Sequence, residues 1–154
     1  MVKKIAIVAL IVALSFVIGI FMMPPKIELI RYVDVKASPE KIWPHISTVE
    51  AWDSWDPWSG QAREGQRPWK DGALTITSVN VDKQEIRYTI DVENTKGDIS
   101  LGIKPADEGT TIRWYHSYEG EYAPWHRLQN WLNRGSLALE LDRGLGKLKE
   151  QVEK

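Results

Sequence analysis

Three imidazoles and one closely spaced pair of carboxylates stand out in this chain for acid–base chemistry: His45, His116 and His126, and Asp53 with Asp56. His116 is the most suggestive. Ile112, Trp114, His116 and Tyr118 alternate along one stretch and so share one face of a strand. A neutral imidazole held there would serve as a general base or bind a ligand oxygen. The commoner role for such a residue is a hydrogen-bonded member of a wall, and that is the reading taken. His45 and His126 read as surface or capping residues. Asp53 and Asp56 stand three apart in WDSWDPW, the spacing of an acid and a base on one helical turn. Beside Pro57 they more readily hold a tight loop through Asx turns. No residue is therefore assigned a catalytic role.

Metal and cofactor chemistry finds no foothold in the sequence. There is no cysteine, no HxxxH or HExxH, and no carboxylate cluster at ligand spacing, so no metal is expected. Gly-x-Ser-x-Gly, Walker and GxGxxG patterns are also missing, which removes the commonest hydrolase and nucleotide readings, and no cofactor is expected. Lys and Arg number 20 against 21 Asp and Glu, a net charge of -1 with no basic run, so nucleic acid is not an expected partner. What the chain does have in excess is tryptophan, 8 against 2 Phe. Each supplies a large apolar surface with one N–H that wants an acceptor.

The elements that must position these groups follow from periodicity. Glu28 to Lys36 alternates, with Leu29, Val33 and Val35 on one side, and reads as a first strand. Ser38-Pro39-Glu40 supplies an N-cap, a first-turn proline and a first-turn acid ahead of Ile42, Ile46 and Val49 at helical spacing. Pro44 ends or kinks that helix early. Residues 50–72 show no sustained period and read as loop, with one helical turn around Val49 to Trp52. Four strands follow: Ala73 to Val81, whose phase slips between Ile76 and Val79 as a bulge requires, then Glu85 to Glu93, Ile99 to Ile103 and Thr110 to Glu119. Turns at Asn94-Thr95-Lys96-Gly97 and from Pro105 to Gly109 make them an antiparallel meander. A long helix from about Trp125 to Val152 closes the chain, with Leu128, Trp131, Leu132, Leu139, Leu145, Leu148 and Val152 expected on one apolar stripe covering the sheet. The fold class is α+β.

Ahead of this domain, Lys3 and Lys4 precede an uncharged run from Ile5 to Met23. As a helix its roughly nineteen residues rise about 28 Å, the thickness of a hydrocarbon core. A cleaved signal peptide is the alternative, but the run is long for one and ends in Pro24-Pro25 without a small-x-small site. The expectation is a retained, single-pass anchor over residues 1–25, contacting the bilayer through residues 5–23, and a soluble domain over residues 26–154. The lysines before the span favour a cytoplasmic N-terminus and a domain on the periplasmic or extracytoplasmic side.

Three stretches, VDVKASPEKIWPHIS, WDSWDPW and LDRGLGKLKEQVEK, together with the order of elements, resemble the START/Bet v 1-like helix-grip superfamily. More narrowly they are similar to its membrane-anchored, polyketide cyclase/dehydrase-type (SRPBCC) branch. The resemblance implies a curved antiparallel sheet wrapped on the long C-terminal helix, with the early strands shortened or missing because little chain lies between the tryptophan loop and the next hairpin. That favours an open groove over a closed cavity. In such a fold the tryptophan-rich places converge at one end of the groove, so Trp55, Trp58, Trp69, Tyr88, Trp114, His116, Tyr118 and Trp131 are expected to line an aromatic site with a few polar tips. The implied function is a non-enzymatic, membrane-tethered binding domain for a hydrophobic or amphipathic, lipid-like small molecule. A protein-interaction module of the cell envelope with a collapsed cavity is the alternative, with no particular protein partner indicated, and a cyclase- or dehydrase-like enzyme using His116 is the third reading.

Overall fold

The computed structural model describes residues 2–57, 66–69, 72–81, 83–92, 95–119 and 123–154, and the side chains of all these except residues 66–69, 72–78, 90–92, 95 and 96. The apolar N-terminal run forms helix α1, Val2–Met22, with a mean hydropathy of 3.0, long and apolar enough to cross a membrane. Ile20 is its one buried residue. Strand β1, Lys26–Val35, follows at once, then helix α2, Pro39–Ile46, which Pro39 opens and which ends two residues beyond Pro44. A 3-10 turn, Glu50–Ser54, stands where the single helical turn was expected.

Five further strands complete one antiparallel sheet: β2, Gln66–Trp69; β3, Gly72–Asn80; β4, Glu85–Val92; β5, Thr95–Ala106; and β6, Gly109–Glu119. Their order is β1-β6-β5-β4-β3-β2. The phase slip read from the sequence is a register shift between Ile76 and Ser78 in the β3–β4 pairing. β2 is the correction to the loop reading of residues 50–72. Four residues paired with β3 are enough for a strand, but one of them is Pro68, and so short a run carries no visible alternation. Between β5 and β6 the turn closes on Gly109, whose φ of +133° and contact with the Val35 carbonyl leave no room for a Cβ.

Helix α3, Pro124–Val152, is gripped by the sheet over its second half. Leu137, Ala138, Leu141, Gly144, Leu145, Leu148 and Val152 are buried against the inner faces of β1, β4, β5 and β6, with Ile27, Leu29, Ile86, Ile99, Leu101 and Ile112 among them. The helix end is tied down from two sides. Lys149 Nζ donates to the Asp34 carbonyl at 2.8 Å and the Lys36 amide donates to Glu153 Oε1 at 2.8 Å, while Gln151 and Ser54 exchange hydrogen bonds at 2.9 and 3.0 Å. Arg31, placed on the inner face by strand parity, escapes burial of its charge by reaching Asp142 of α3 at 3.2 Å. The single apolar stripe expected along the whole helix is not what forms. Leu132 and Leu139 are exposed because they stand about half a turn away from the Leu141-Leu145-Leu148 face when residues advance by about 100° each, and Trp131, about a fifth of a turn from that face, is exposed as well.

Candidate functional site

The inner face of the sheet presents Tyr88 from β4, then Trp114, His116 and Tyr118 from β6, in the order that strand alternation dictates. His116 stands opposite Leu29 of β1 and Ile99 of β5, and Trp114 opposite Arg31 and Leu101. Onto these rings the 3-10 turn lays Trp52 and Trp55. Trp52 meets Tyr88 edge-on at a centroid distance of 4.5 Å, Trp55 meets Trp114 at 5.3 Å, the two loop rings stand 5.2 Å apart, and Trp114 meets His116 at 5.1 Å. All five side chains are fully buried. Edge-to-face pairs of this kind each add about 0.5–1.5 kcal/mol beyond the area they bury.

The two loop tryptophans are held by the end of α2. Trp52 Nε1 donates to the Ile46 carbonyl at 3.1 Å and Trp55 Nε1 to the His45 carbonyl at 2.9 Å. A helix leaves its last carbonyls without partners, and a helix of eight residues leaves half of its residues in that state. The indole N–H groups satisfy two of them, which orients both rings into the sheet.

Polar groups are buried among these rings. Burial lowers the His116 pKa to about 3, so the imidazole is neutral at ordinary pH. Burial also pushes the Tyr88 phenol well up, with the nearby Asp56 carboxylate adding to the effect. Among the described residues the Tyr88 hydroxyl has no hydrogen-bond partner. Tyr118 is buried beside Gly97, its phenol raised by burial first and by Glu140 of α3 second. An added Cβ at Gly97 would stand 2.7 Å from that of Tyr118, so a side chain there would displace the tyrosine. The Asp53–Asp56 pair does not act together: Asp53 is exposed, while Asp56 is buried and reaches the Tyr88 environment.

Of the residues expected at the site, Trp55, Tyr88, Trp114, His116 and Tyr118 are buried on the inner face of the sheet or against it. Trp69 is the last residue of β2, paired with Gly72, and its side chain lies outside those described. Trp58 lies outside the described residues altogether. Trp131 is exposed on α3 and takes no part in the cluster. Trp52 and Asp56 join it without having been among the residues expected there. Their signal was the i, i+3, i+4 spacing of Trp52, Trp55 and Asp56, which one helical turn places on a common side. One groove lies on the opposite face of the sheet, a space of about 430 Å³ lined by Glu85, Arg87, Asp98, Arg113 and Tyr115 among others, and it is separate from the aromatic cluster. Among the described residues no group of three or more His, Cys, Asp or Glu is placed to hold a metal ion.

The family described as polyketide cyclase/dehydrase and lipid transport matches residues 27–153, which takes in the whole aromatic cluster and leaves α1 outside. Among solved structures, an uncharacterised protein from Bacillus thuringiensis is 14% identical with a TM-score of 0.64, covering 83% of this chain and 100% of that one. The Aha1 dimer from Colwellia psychrerythraea is 17% identical with a TM-score of 0.60, over 82% and 96% of the two chains. A protein of unknown function from Staphylococcus aureus is 14% identical with a TM-score of 0.61, over 83% and 94%. Identities this low speak for the fold alone. No protein of curated function matches the sequence.

Proposed function

The chain belongs to the polyketide cyclase/dehydrase and lipid transport family, and from that premise we propose that its domain binds a hydrophobic or amphipathic, lipid-like small molecule and is tethered to a membrane by α1. The observation that carries this reading is the Tyr88 hydroxyl, fully buried on the inner face of the sheet beside Trp52 and without a hydrogen-bond partner among the described residues. An unmet buried hydroxyl costs about 1–3 kcal/mol. A ligand oxygen entering between the sheet and α3 recovers that cost, while the surrounding rings accept its apolar body. Trp58 and Trp69 belong to the same proposal as ligand-binding residues. The tether rests on the length and hydropathy of α1, and Lys3 and Lys4 in its first turn support a domain on the extracytoplasmic side.

His116 serves as a wall and orienting residue in this reading. An imidazole with a pKa of about 3 is a poor general base near neutral pH, where catalysis asks for a pKa close to the working value. Native mass spectrometry of the full chain, extracted from the host membrane in mild detergent, tests the proposal. A stoichiometric lipid-like mass that co-purifies is the expected result. Bare protein that also fails to take up fatty acid or isoprenoid probes overturns it. The mutual packing of Trp52, Trp55, Tyr88 and Trp114 favours a second reading, a protein-interaction module whose cavity the rings have filled. On that reading ligand uptake is nil and Trp55→Ala weakens capture of a membrane-protein partner.

A further inference from the structure

Helix α3 carries two apolar faces. The buried one runs through Leu137, Leu141, Leu145 and Leu148. The other belongs to the first half of the helix: Trp125, Leu132 and Leu139 are spaced seven apart, so they stack on one side with a drift of about 20° per step, and Leu128 lies between the first two. Trp125 is 67% exposed, Leu132 61% and Leu139 60%, and residues 131–136 are exposed without a break. Nothing in the sheet requires this face, which spans about 21 Å at 1.5 Å per residue.

What lies next to it is the end of α1. Arg127, in the first turn of α3, donates from Nη1 to the Phe21 carbonyl at 2.8 Å and to the Met23 carbonyl at 3.1 Å. These are carbonyls at the C-terminus of α1, the negative end of its dipole, so the guanidinium both pairs them and suits their field. Ile20, the one buried residue of α1, lies in the turn just before them. The start of α3 is thereby clamped to the point at which the apolar helix ends, and Pro24-Pro25 leads from there straight into β1.

We propose that the first half of α3 rests on the surface of the same bilayer that α1 enters, with Trp125, Leu128, Trp131 and Leu132 at headgroup depth. The inference depends on the tether reading of α1. Given that tether, the end of a spanning helix is the interface, and the clamp brings the first turns of α3 to that level. The chemistry of the segment agrees. Tryptophan favours the interfacial belt. From Pro124 to Leu139 there is no carboxylate to repel anionic headgroups, whereas Glu140, Asp142 and Glu150 fall in the gripped half and Glu153 follows it. An amphipathic stretch of this kind lies in the interface plane with its apolar side down.

The chain has no cysteine, so single introduced thiols report on single positions. Full-length Leu10→Cys, Leu132→Cys and Arg143→Cys variants, each carrying an environment-sensitive fluorophore, would be reconstituted in phosphatidylglycerol and phosphatidylethanolamine vesicles. Each would then be quenched by nitroxide-labelled lipid and by aqueous iodide. The expected result is lipid quenching at positions 10 and 132, severalfold stronger than at 143, with iodide reaching 143. Iodide quenching of position 132 like that of 143, with position 10 still quenched by lipid, overturns the interfacial placement and leaves the tether standing. Protection of position 132 from both quenchers means that a second copy of the chain covers the face, which also overturns it. Absence of lipid quenching at position 10 defeats the tether itself and this inference with it. Arg127→Ala adds a further check, since releasing the clamp is expected to lower lipid quenching at position 132 while leaving position 10 unchanged.

Discussion

Gly144 of α3 lies against the ring of Trp114, so close that a Cβ at position 144 would stand 3.0 Å from Trp114 Cζ3 and 2.8 Å from Pro57 Cδ. This is where helix, inner sheet and tryptophan loop meet. Trp114 is fully buried within the aromatic cluster, so it cannot move aside cheaply.

Gly144→Ala is therefore expected to destabilise the domain by about 1–2 kcal/mol, overpacking outweighing the gain of about 1 kcal/mol in helix propensity. Gly146, two residues on and so about 200° around the helix, has nothing within 4 Å of an added Cβ. Gly146→Ala is expected to stabilise by about 0.5–1 kcal/mol. Denaturant unfolding of the two full-length variants in detergent, followed by tryptophan fluorescence, compares them directly. Equal shifts would mean that the grip at Gly144 is looser than its geometry states.

Much of this architecture was legible before any coordinates, and the exceptions have physical reasons. Alternation in Thr110 to Glu119 is clean because β6 turns Ile112, Trp114, His116 and Tyr118 to the core, and the slip at Ile76 and Val79 marked the bulge. β2 was invisible because four residues with a proline carry no period. The last helix was readable as a helix but not as two faces. Counting Leu132, Leu139, Leu145 and Leu148 on one stripe overlooked the six-residue step from Leu139 to Leu145, which turns about 120° away from the side that Leu132 and Leu139 share. At the site, strand parity placed Tyr88, Trp114, His116 and Tyr118 together, whereas the roles of Trp52 and Asp56 depend on the 3-10 turn that folds them in. Trp131 was assigned inward on the same single-stripe reading and is exposed.

The low pKa of His116 makes stability depend on pH. Its folded value of about 3 lies below the ordinary value of 6.5, so the unfolded chain binds the proton more readily between the two. The stabilisation is complete above about pH 6.5 and is lost progressively as the pH falls towards 3, with a slope of up to about 1.4 kcal/mol per pH unit from this group. His116→Leu is expected to flatten the decline between pH 6.5 and 5 relative to the wild type. Parallel declines in the two proteins would show that the imidazole is not held neutral by burial.

Trp52→Phe removes the indole that bonds the Ile46 carbonyl and meets Tyr88 at its edge. The lost ring leaves a cavity and an unpartnered carbonyl in a buried place, for an expected cost of about 2–4 kcal/mol. Trp125→Phe, at an exposed position, is expected to change stability in detergent by less than about 0.5 kcal/mol. Near-ultraviolet circular dichroism supplies the second readout, because the coupled rings around Trp52 lose their fixed geometry only in the first variant.

Tyr88→Phe separates packing from binding. The substitution keeps the ring against Trp52 and removes the hydroxyl that finds no partner among the described residues. A structural role for Tyr88 lies in its ring, so the variant is expected to be as stable as the wild type or more stable by about 1 kcal/mol. It should also lose Tyr88's share of the fall in stability expected above about pH 10, where the unfolded phenol ionises and the folded one, its pKa raised, does not, while Tyr118 keeps its own share. Ligand binding moves the other way. If the hydroxyl orients an oxygen of a lipid-like molecule, its removal weakens retention of that molecule about fivefold to tenfold, the effect of one hydrogen bond of about 1–1.4 kcal/mol. Unfolding curves and native mass spectra of the same preparation read both quantities. A variant that is more stable and holds less ligand places the binding site at Tyr88, and a variant that is more stable with ligand occupancy unchanged moves the site elsewhere on the inner face.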